Sequence, residues 1–561
     1  MKFLINKNIL KLYVAVFASA LVMNSCEKKL DLSPITSFTS SNVWSSSSGA
    51  FGVLMGVYRG NILYNSQNIE QTPTDWWSYL GLVGNDLATD NAYCRAGEAN
   101  AWTTLSNGNI TPANAFASAL WASSYQRIAA ANYFLENVSL APIDSATANR
   151  WKAEARFIRA AQYFYLSQFY GNVPLVLHTL TTDSANHVYK TSRDSVIAFA
   201  ESEFSTIANY LPRQSLLLAS ETGRATRQAA LAFLGRLQLG HQEFTKAVNT
   251  YAAIMAYGDN IIDPNFPSLF NGTNVNSKEI IFSTQYQATT ASDPICQQFF
   301  PNICGGYSYF DPLGSLVENF DFNDGTPFSY TDPRYNPINL QQNRDPRLSY
   351  TVMYNGQTFA GLAYVCHPDS AKSGDQLSTT KQSTKTGYLI NKYMNPSVYT
   401  SGNINNSGIC IPVVRYSEIL LSYLEANLEA GNTITQSLLD QTINAVRSRA
   451  TVNMPPITVI KADALRPMLR SERRNELAFE GLRYWDLLRW GTIAQTLTGD
   501  FYGAPFPGAK NLRIKPGGVK DPNSRWYVTT KNYSAGSAGN PFFPYWPIPQ
   551  SEININPNLG K

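Results

Sequence analysis

Glu472, Glu476 and Glu480 recur at every fourth residue. On a helix this spacing sets all three carboxylates on one face, about 5–6 Å apart. Paired carboxylates are the equipment of a glycoside hydrolase, which needs two of them about 5–9.5 Å apart across a sugar bond. Carboxylates on one face point the same way and cannot flank a substrate. Arg466, Arg470, Arg473, Arg474, Arg483 and Arg489 stand close by in sequence. The block therefore reads as an ion-pair network that locks a helix to its neighbours. Its carboxylates would be held ionised, whereas a general acid needs a raised pKa. The sequence has no nucleophile elbow, P-loop, HExxH or calcium-loop motif. His178, His187, His241 and His367 are scattered, and no Cys/His spacing suits zinc. No enzyme activity, metal or cofactor is expected.

The other chemistry on offer is aromatic. The chain carries 32 Tyr, 28 Phe and 10 Trp, while charged residues make up only 15%, against about 25% in an average soluble domain. Rings with a polar edge suit flat polar ligands such as sugars, with Asn, Asp, Arg or Gln for the hydroxyls. Such rings must be reachable, as they are in loops held on a rigid scaffold. Two stretches read as such loops. One, over 66–111, holds Trp76, Trp77, Tyr79, Tyr93 and Trp102, interleaved with Asp86, Asp90, Asn91, Arg95 and Asn100. The other begins at Gly305-Gly306-Tyr307-Ser308-Tyr309-Phe310 and continues to Phe328, Tyr330 and Tyr335.

The elements that must hold these loops are mostly helical. Residues 49–257 read as an N-terminal scaffold, with helices over about 50–65, 113–138, 146–170, 192–210, 224–241 and 243–257. Thr111-Pro112 reads as the N-cap and first turn of the second of these. Trp151, Ala155, Ile158, Tyr165 and Phe169 make one apolar stripe, and Phe157, Ala161 and Phe164 another. A helix apolar on two faces sits between neighbours. The small/aromatic interleaving of Ala229, Phe233, Leu237, Ala247 and Tyr251 resembles tetratricopeptide-like helix pairs. Residues 258–410 read as a loop-rich insert, with strands expected over Leu348–Tyr354 and Tyr388–Tyr393. Helices resume at about 416–430, 435–450, 461–480 and 483–497. The region 411–561 closes with a Pro/Gly/aromatic tail that wraps back over the body. With 561 residues, many aromatics and little charge, the chain is neither disordered nor a coiled coil. A net charge of +4 gives no drive toward nucleic acid.

Residues 1–25 read as a signal. Lys2, Lys7 and Lys11 precede an apolar run over Leu12–Val22, too short to span a bilayer. Cys26 directly after it resembles the lipidated cysteine of a bacterial lipoprotein, with Met23 and Asn24 where leucine and a small residue are usual. The alternative is ordinary secretion. Residues 26–48 read as a Ser/Thr-rich tether. Removing the signal takes three lysines and no acid, lowering the charge from +4 by three to +1. Besides Cys26, five cysteines remain. Cys296 and Cys304 would close a short loop as a disulfide, or stay buried and unpaired.

One segment carries a resemblance: Glu472-Arg473-Arg474-Asn475-Glu476-Leu477-Ala478-Phe479-Glu480-Gly481, continuing through Leu482-Arg483-Tyr484-Trp485-Asp486-Leu487-Leu488-Arg489-Trp490. It is similar, nearly residue for residue, to a block of the SusD/RagB outer-membrane lipoproteins of Bacteroidota. Arg415-Tyr416-Ser417-Glu418-Ile419-Leu420-Leu421, Asn444–Ala450, Asp345-Pro346-Arg347-Leu348, Gly387–Tyr393 and Trp546-Pro547-Ile548-Pro549 match in order. The resemblance spans the mature chain. It implies a cell-surface lipoprotein, anchored through Cys26 to the outer membrane and facing the exterior. Such a protein captures an oligosaccharide, or another nutrient such as a peptide, and passes it to a SusC-like TonB-dependent barrel transporter. In the family a Trp shortly before the first long scaffold helix often joins an aromatic arc, and Trp102 stands similarly here. The expected platform is thus Trp102 with Tyr307 and Tyr309, and the expected polar partners are Asp86, Arg95 and Asn100.

Overall fold

The structure, a computed structural model, describes residues 43–63, 73–97, 100–533 and 544–561. Cys26, the signal and most of the tether lie outside the described residues. The scaffold is a row of helices, each packed on the next: Ala115–Asn137, Ser145–Phe169, Arg193–Ile207, Arg227–Gly240 and Phe244–Ala256. After the insert the row continues with Tyr416–Glu429 and Ala462–Leu477. The fold is mostly α and tetratricopeptide-like. Side-chain caps start the helices: Asp144 accepts from the Thr147 N–H at 2.9 Å, and Thr226 from that of Ala229 at 3.1 Å. The expected cap at Thr111 is replaced by Asn114, whose Oδ1 accepts from the Phe116 and Ala117 N–H groups. Gly235 stands mid-helix because a Cβ there would meet the Tyr251 ring at 2.5 Å. A glycine costs about 1 kcal/mol against alanine in a helix, and here it admits the neighbouring helix.

The tether ends sooner than residue 48. Val43 and Trp44 are buried, and the Trp44 ring packs on Tyr133 and Phe134. Ser46 caps the first helix, Ser47–Arg59. The stretch 66–111 also departs from a loop reading. Its described part contains the helices Tyr79–Leu82 and Ala101–Ser106 and the strand Ala92–Cys94, and most of its side chains are buried. Trp76 stacks on Tyr165 at 4.5 Å and Phe169 at 5.0 Å. Trp77 packs edge-on to Phe282 and donates its indole N–H to the Tyr165 hydroxyl. Both rings fill seams of the scaffold.

The insert shares this core. Ile280–Thr284 pairs antiparallel with Ile411–Arg415, and Val352–Tyr354 with Tyr388–Ile390. The strand expected from Leu348 starts later, because Arg347–Thr351 is a short helix. The tail forms the hairpin of Thr498–Pro505 and Arg525–Asn532, and brings Trp546 onto Trp76 and Phe169. The five described cysteines are buried free thiols, so Cys296 and Cys304 are not bridged. Among the described residues no helix is long and apolar enough to cross a membrane.

The three glutamates are locked in ion pairs as expected, but by other cations, and the helix ends at Leu477, so Glu480 stands in the turn beyond it and not on the helix face. Glu472 pairs with Arg347 and Arg447; Glu476 with Arg347, Arg415 and Arg449; Glu480 with Arg415 and Lys392. Burial alone would raise these carboxyls. The surrounding guanidinium and ammonium groups outweigh it and hold all three below the ordinary carboxylate range. Of the arginines near in sequence, Arg473 and Arg474 leave the helix on other faces, and Arg483 and Arg489 stand on the next helix, Arg483–Arg489. Arg473 meets Asp486, Arg474 and Arg483 meet Asp90, and Arg489 meets Glu425.

Candidate functional site

Those outward arginines position the candidate site. Arg474 donates to Asn91 Oδ1 at 2.8 Å and to the Asp90 carbonyl at 2.9 Å, while Arg483 grips the Asp90 carboxylate. The chain leaves this grip as the strand Ala92–Cys94. That strand pairs antiparallel with Phe310–Pro312, Cys94 opposite Phe310. The pairing sets Arg95 beside Tyr307 and Tyr309, although more than two hundred residues separate them. The Arg95 guanidinium carbon lies 5.6 Å from the centroid of each ring, within reach of a cation–π contact. Arg95 also donates to the Tyr307 carbonyl.

The tyrosine loop is pinned from behind. The N–H groups of Tyr307 and Tyr309 donate to the carbonyls of Gln297 and Gln298. Gly306 is required there, since a Cβ would fall 2.0 Å from the Phe300 carbonyl oxygen. Ser308 takes φ +46°, an uncommon conformation for a non-glycine residue. Both tyrosines are half-buried, Arg95 and Asn302 likewise, and Ile303 at the rim is 48% exposed. Asn302 donates to the Gln382 carbonyl at 2.7 Å. The result is a partly open surface of two phenol rings, a guanidinium and an amide.

Of the expected residues, the structure brings together Arg95, Asn100, Tyr307 and Tyr309. Asn100 donates to the Tyr309 hydroxyl at 3.2 Å, while its Oδ1 caps the helix that carries Trp102. Trp102 and Asp86 are corrections. The Trp102 ring is 0% exposed and stacks on Phe116 at 4.5 Å. Asp86 is buried too, accepting from Asn91 Nδ2 and the Gly481 N–H. Burial pushes its carboxyl up to about 6. Tyr93, Trp76, Trp77 and Tyr79 are likewise buried. Nine of the ten tryptophans are buried, and Trp490 is held between Arg470 and Arg489. Accessible rings are therefore chiefly tyrosine. Phe328, Tyr330 and Tyr335 form a separate half-buried cluster that packs edge-on within itself.

A family model described as the SusD family matches residues 278–561, just over half of the chain. The chain belongs to the SusD family. A second model, described as starch-binding associating with outer membrane, matches residues 64–239. The crystal structure of a SusD-like carbohydrate binding protein from Bacteroides fragilis is 43% identical, with a TM-score of 0.87 over 92% of this chain and 100% of that one. Surface glycan-binding protein A from Bacteroides thetaiotaomicron, in complex with laminarihexaose, shares the fold at 18% identity and a TM-score of 0.65, covering 92% of this chain and 99% of that one. SusD-like protein P25 from Formosa agariphila is 24% identical over 95% of both chains.

In this SusD-family chain, sequence reasoning passed over three residues of the surface and its support. Asn302 and Ile303 adjoin the glycine–tyrosine loop and were legible by proximity. Asp311 had no local signal. It lies on the strand beneath Arg95, fully buried, and accepts from the Lys385 N–H at 2.8 Å. Burial pushes its carboxyl up to about 8, against the pull of that N–H and of Arg95. The folded value exceeds the ordinary 3.8, so the folded chain keeps a proton that the unfolded chain gives up. Stability from this group is intact below about pH 4 and is lost as pH rises to about 8. Asp311→Asn should therefore melt with the wild type near pH 4 and above it near pH 8. Melting temperatures that track each other across this range would contradict a buried proton.

Proposed function

We propose that this protein captures oligosaccharide at the outer face of the outer membrane and delivers it to a partner TonB-dependent transporter. A lipid on Cys26 anchors it. It binds its ligand without turning it over. The observation that carries the reading is the pair Tyr307 and Tyr309 set around Arg95 on a half-open surface. Phenol faces accept the CH faces of a sugar, and the guanidinium and the Asn302 amide meet its hydroxyls. The likeness to the Bacteroides fragilis carbohydrate binding protein supports the same reading. The glutamate stripe, sealed in its ion-pair network, supports binding over hydrolysis.

The test is an array of glycans and peptides probed with the chain from residue 27 onward, followed by calorimetry and a reducing-end assay on each hit. The expected result is saturable binding of one glycan class with no release of reducing ends. Peptide binding alone would replace the ligand class, and product release would overturn the non-enzymatic reading. Pull-down of the lipidated protein should retrieve a large outer-membrane barrel.

A further inference from the structure

A cavity of about 320 Å³ lies away from the tyrosine surface and from the ion-pair network. It is half open to solvent and bounded by the helix Ala115–Asn137, the segment running from Pro174 to Val188, and the carboxyl-terminal elements Gln550–Ile555 and Pro557–Gly560. The terminal elements are tied down by three bonds, from the Gln550 N–H to the Pro112 carbonyl, from Asn556 Nδ2 to the Val188 carbonyl and from Asn558 Nδ2 to the His187 carbonyl. Ile128, Val176 and Leu559 give the cavity apolar walls, and Trp121 and Tyr125 line it with rings whose centroids are 4.9 Å apart.

The polar groups around it are mostly spent. The Tyr125 hydroxyl donates to the Pro174 carbonyl at 2.8 Å, and Asn556 Nδ2 is on Val188. His178 lies 3.5 Å from Glu136. Glu552 is the exception. Its carboxylate lines the cavity, half-buried, with no hydrogen bond or ion pair to any described residue. Burial pushes its carboxyl up.

We propose that this cavity is a second binding site, for a small organic cation: an amine or quaternary ammonium on an apolar or aromatic body. The charge would meet Glu552 in a charge-assisted contact, and the half-buried Tyr125 ring, backed by Trp121, favours a cation over its face. The body would displace water from Val176, Leu180 and Ile555, the apolar lining that solvent still reaches. The volume falls within the roughly 300–1,000 Å³ of small-molecule sites. A neutral sugar finds too few open hydrogen-bonding groups here, and an anion meets an uncompensated carboxylate.

The experiment is titration calorimetry on the chain from residue 27 with three probes that share a phenethyl body and differ in the charge of the head group: phenethylamine, phenethyl alcohol and 3-phenylpropionate. The amine should bind saturably at one site, and the alcohol and the acid about tenfold more weakly or worse. Glu552→Gln should cost the amine about tenfold and erase its advantage over the alcohol. Ala129→Trp, at the exposed rim of the cavity, should block all three. Melting curves establish that both variants fold. No saturable amine binding at about 10 mM, or amine binding undiminished in Glu552→Gln, would overturn the proposal.

Discussion

Replacing Glu476 with glutamine should cost about 3–5 kcal/mol of unfolding free energy, the usual penalty for breaking a buried ion pair from one side. The substitution keeps the volume and removes the charge. Three guanidinium groups then lose a carboxylate at once: Arg347, Arg415 and Arg449, all with fully buried side chains. Asp345, Glu472, Glu279 and Glu480 remain to them, but with Arg447 and Lys392 in the same network five buried cations then face four carboxylates. Urea is the denaturant to use, because guanidinium salt would screen the network. Lys515→Ala, which breaks only a solvent-exposed pair with Asp500, should leave the transition in place. The same glutamates set an acid limit. Their folded values are depressed below the ordinary 4.5, so the stability they supply is present above that pH and lost as pH falls through the folded values. Glu476→Gln should flatten the acid limb of the stability curve, since one linked proton is gone. A loss below about 1 kcal/mol, or an unchanged acid limb, would mean that the network fixes geometry without stabilising it.

The network also shows what was legible in the sequence. The four-residue spacing of Glu472 and Glu476 announces one helix face, and the nearby arginines announce ion pairs; that the helix stops at Leu477, before Glu480, was not legible. The partners were not legible. Arg473 and Arg474 follow Glu472 by about 100° and 200° around the helix, so they look away from it. Arg347 arrives from a short helix of the insert, Arg415 from the end of the strand Ile411–Arg415, and Arg449 from the turn after the helix Ile443–Arg447. The scaffold helices were legible for a similar reason. The stripes through Trp151 and Phe157 obey a period that the backbone itself imposes, and Ser145–Phe169 is buried on both. Trp102 was misread because its surroundings are Asn, Gly and Thr, the residues of turns. Its burial depends on Phe116 and on the close approach of Gly84, which no local pattern encodes. Arg95 met Tyr307 only because two three-residue strands pair across the fold. Strands so short leave almost no periodic signal.

That misreading separates two substitutions that the sequence placed on equal terms. Trp102→Ala should cost about 3–5 kcal/mol of stability, as for a large aromatic cut out of a core, because its ring is enclosed between Phe116 and the Gly84 turn. The folded fraction should still bind glycan. Tyr307→Ala should do the reverse. Its ring is half-buried and its loop is held by main-chain bonds to Gln297, Phe300 and Gln298, so melting should shift little while glycan affinity falls about tenfold, about 1.4 kcal/mol. Arg95→Ala should match or exceed that loss, since one guanidinium serves both rings and the Tyr307 carbonyl. Tyr307→Phe discriminates further. If the ring face carries the contact, phenylalanine keeps most of the affinity; if the hydroxyl carries it, phenylalanine behaves like alanine. Calorimetry with the glycan found on the array, set beside melting curves for each variant, reads both quantities. Unchanged affinity in Tyr307→Ala and Arg95→Ala together would remove the tyrosine surface from the binding site. The self-packed rings of Phe328, Tyr330 and Tyr335 would then be the next surface to test.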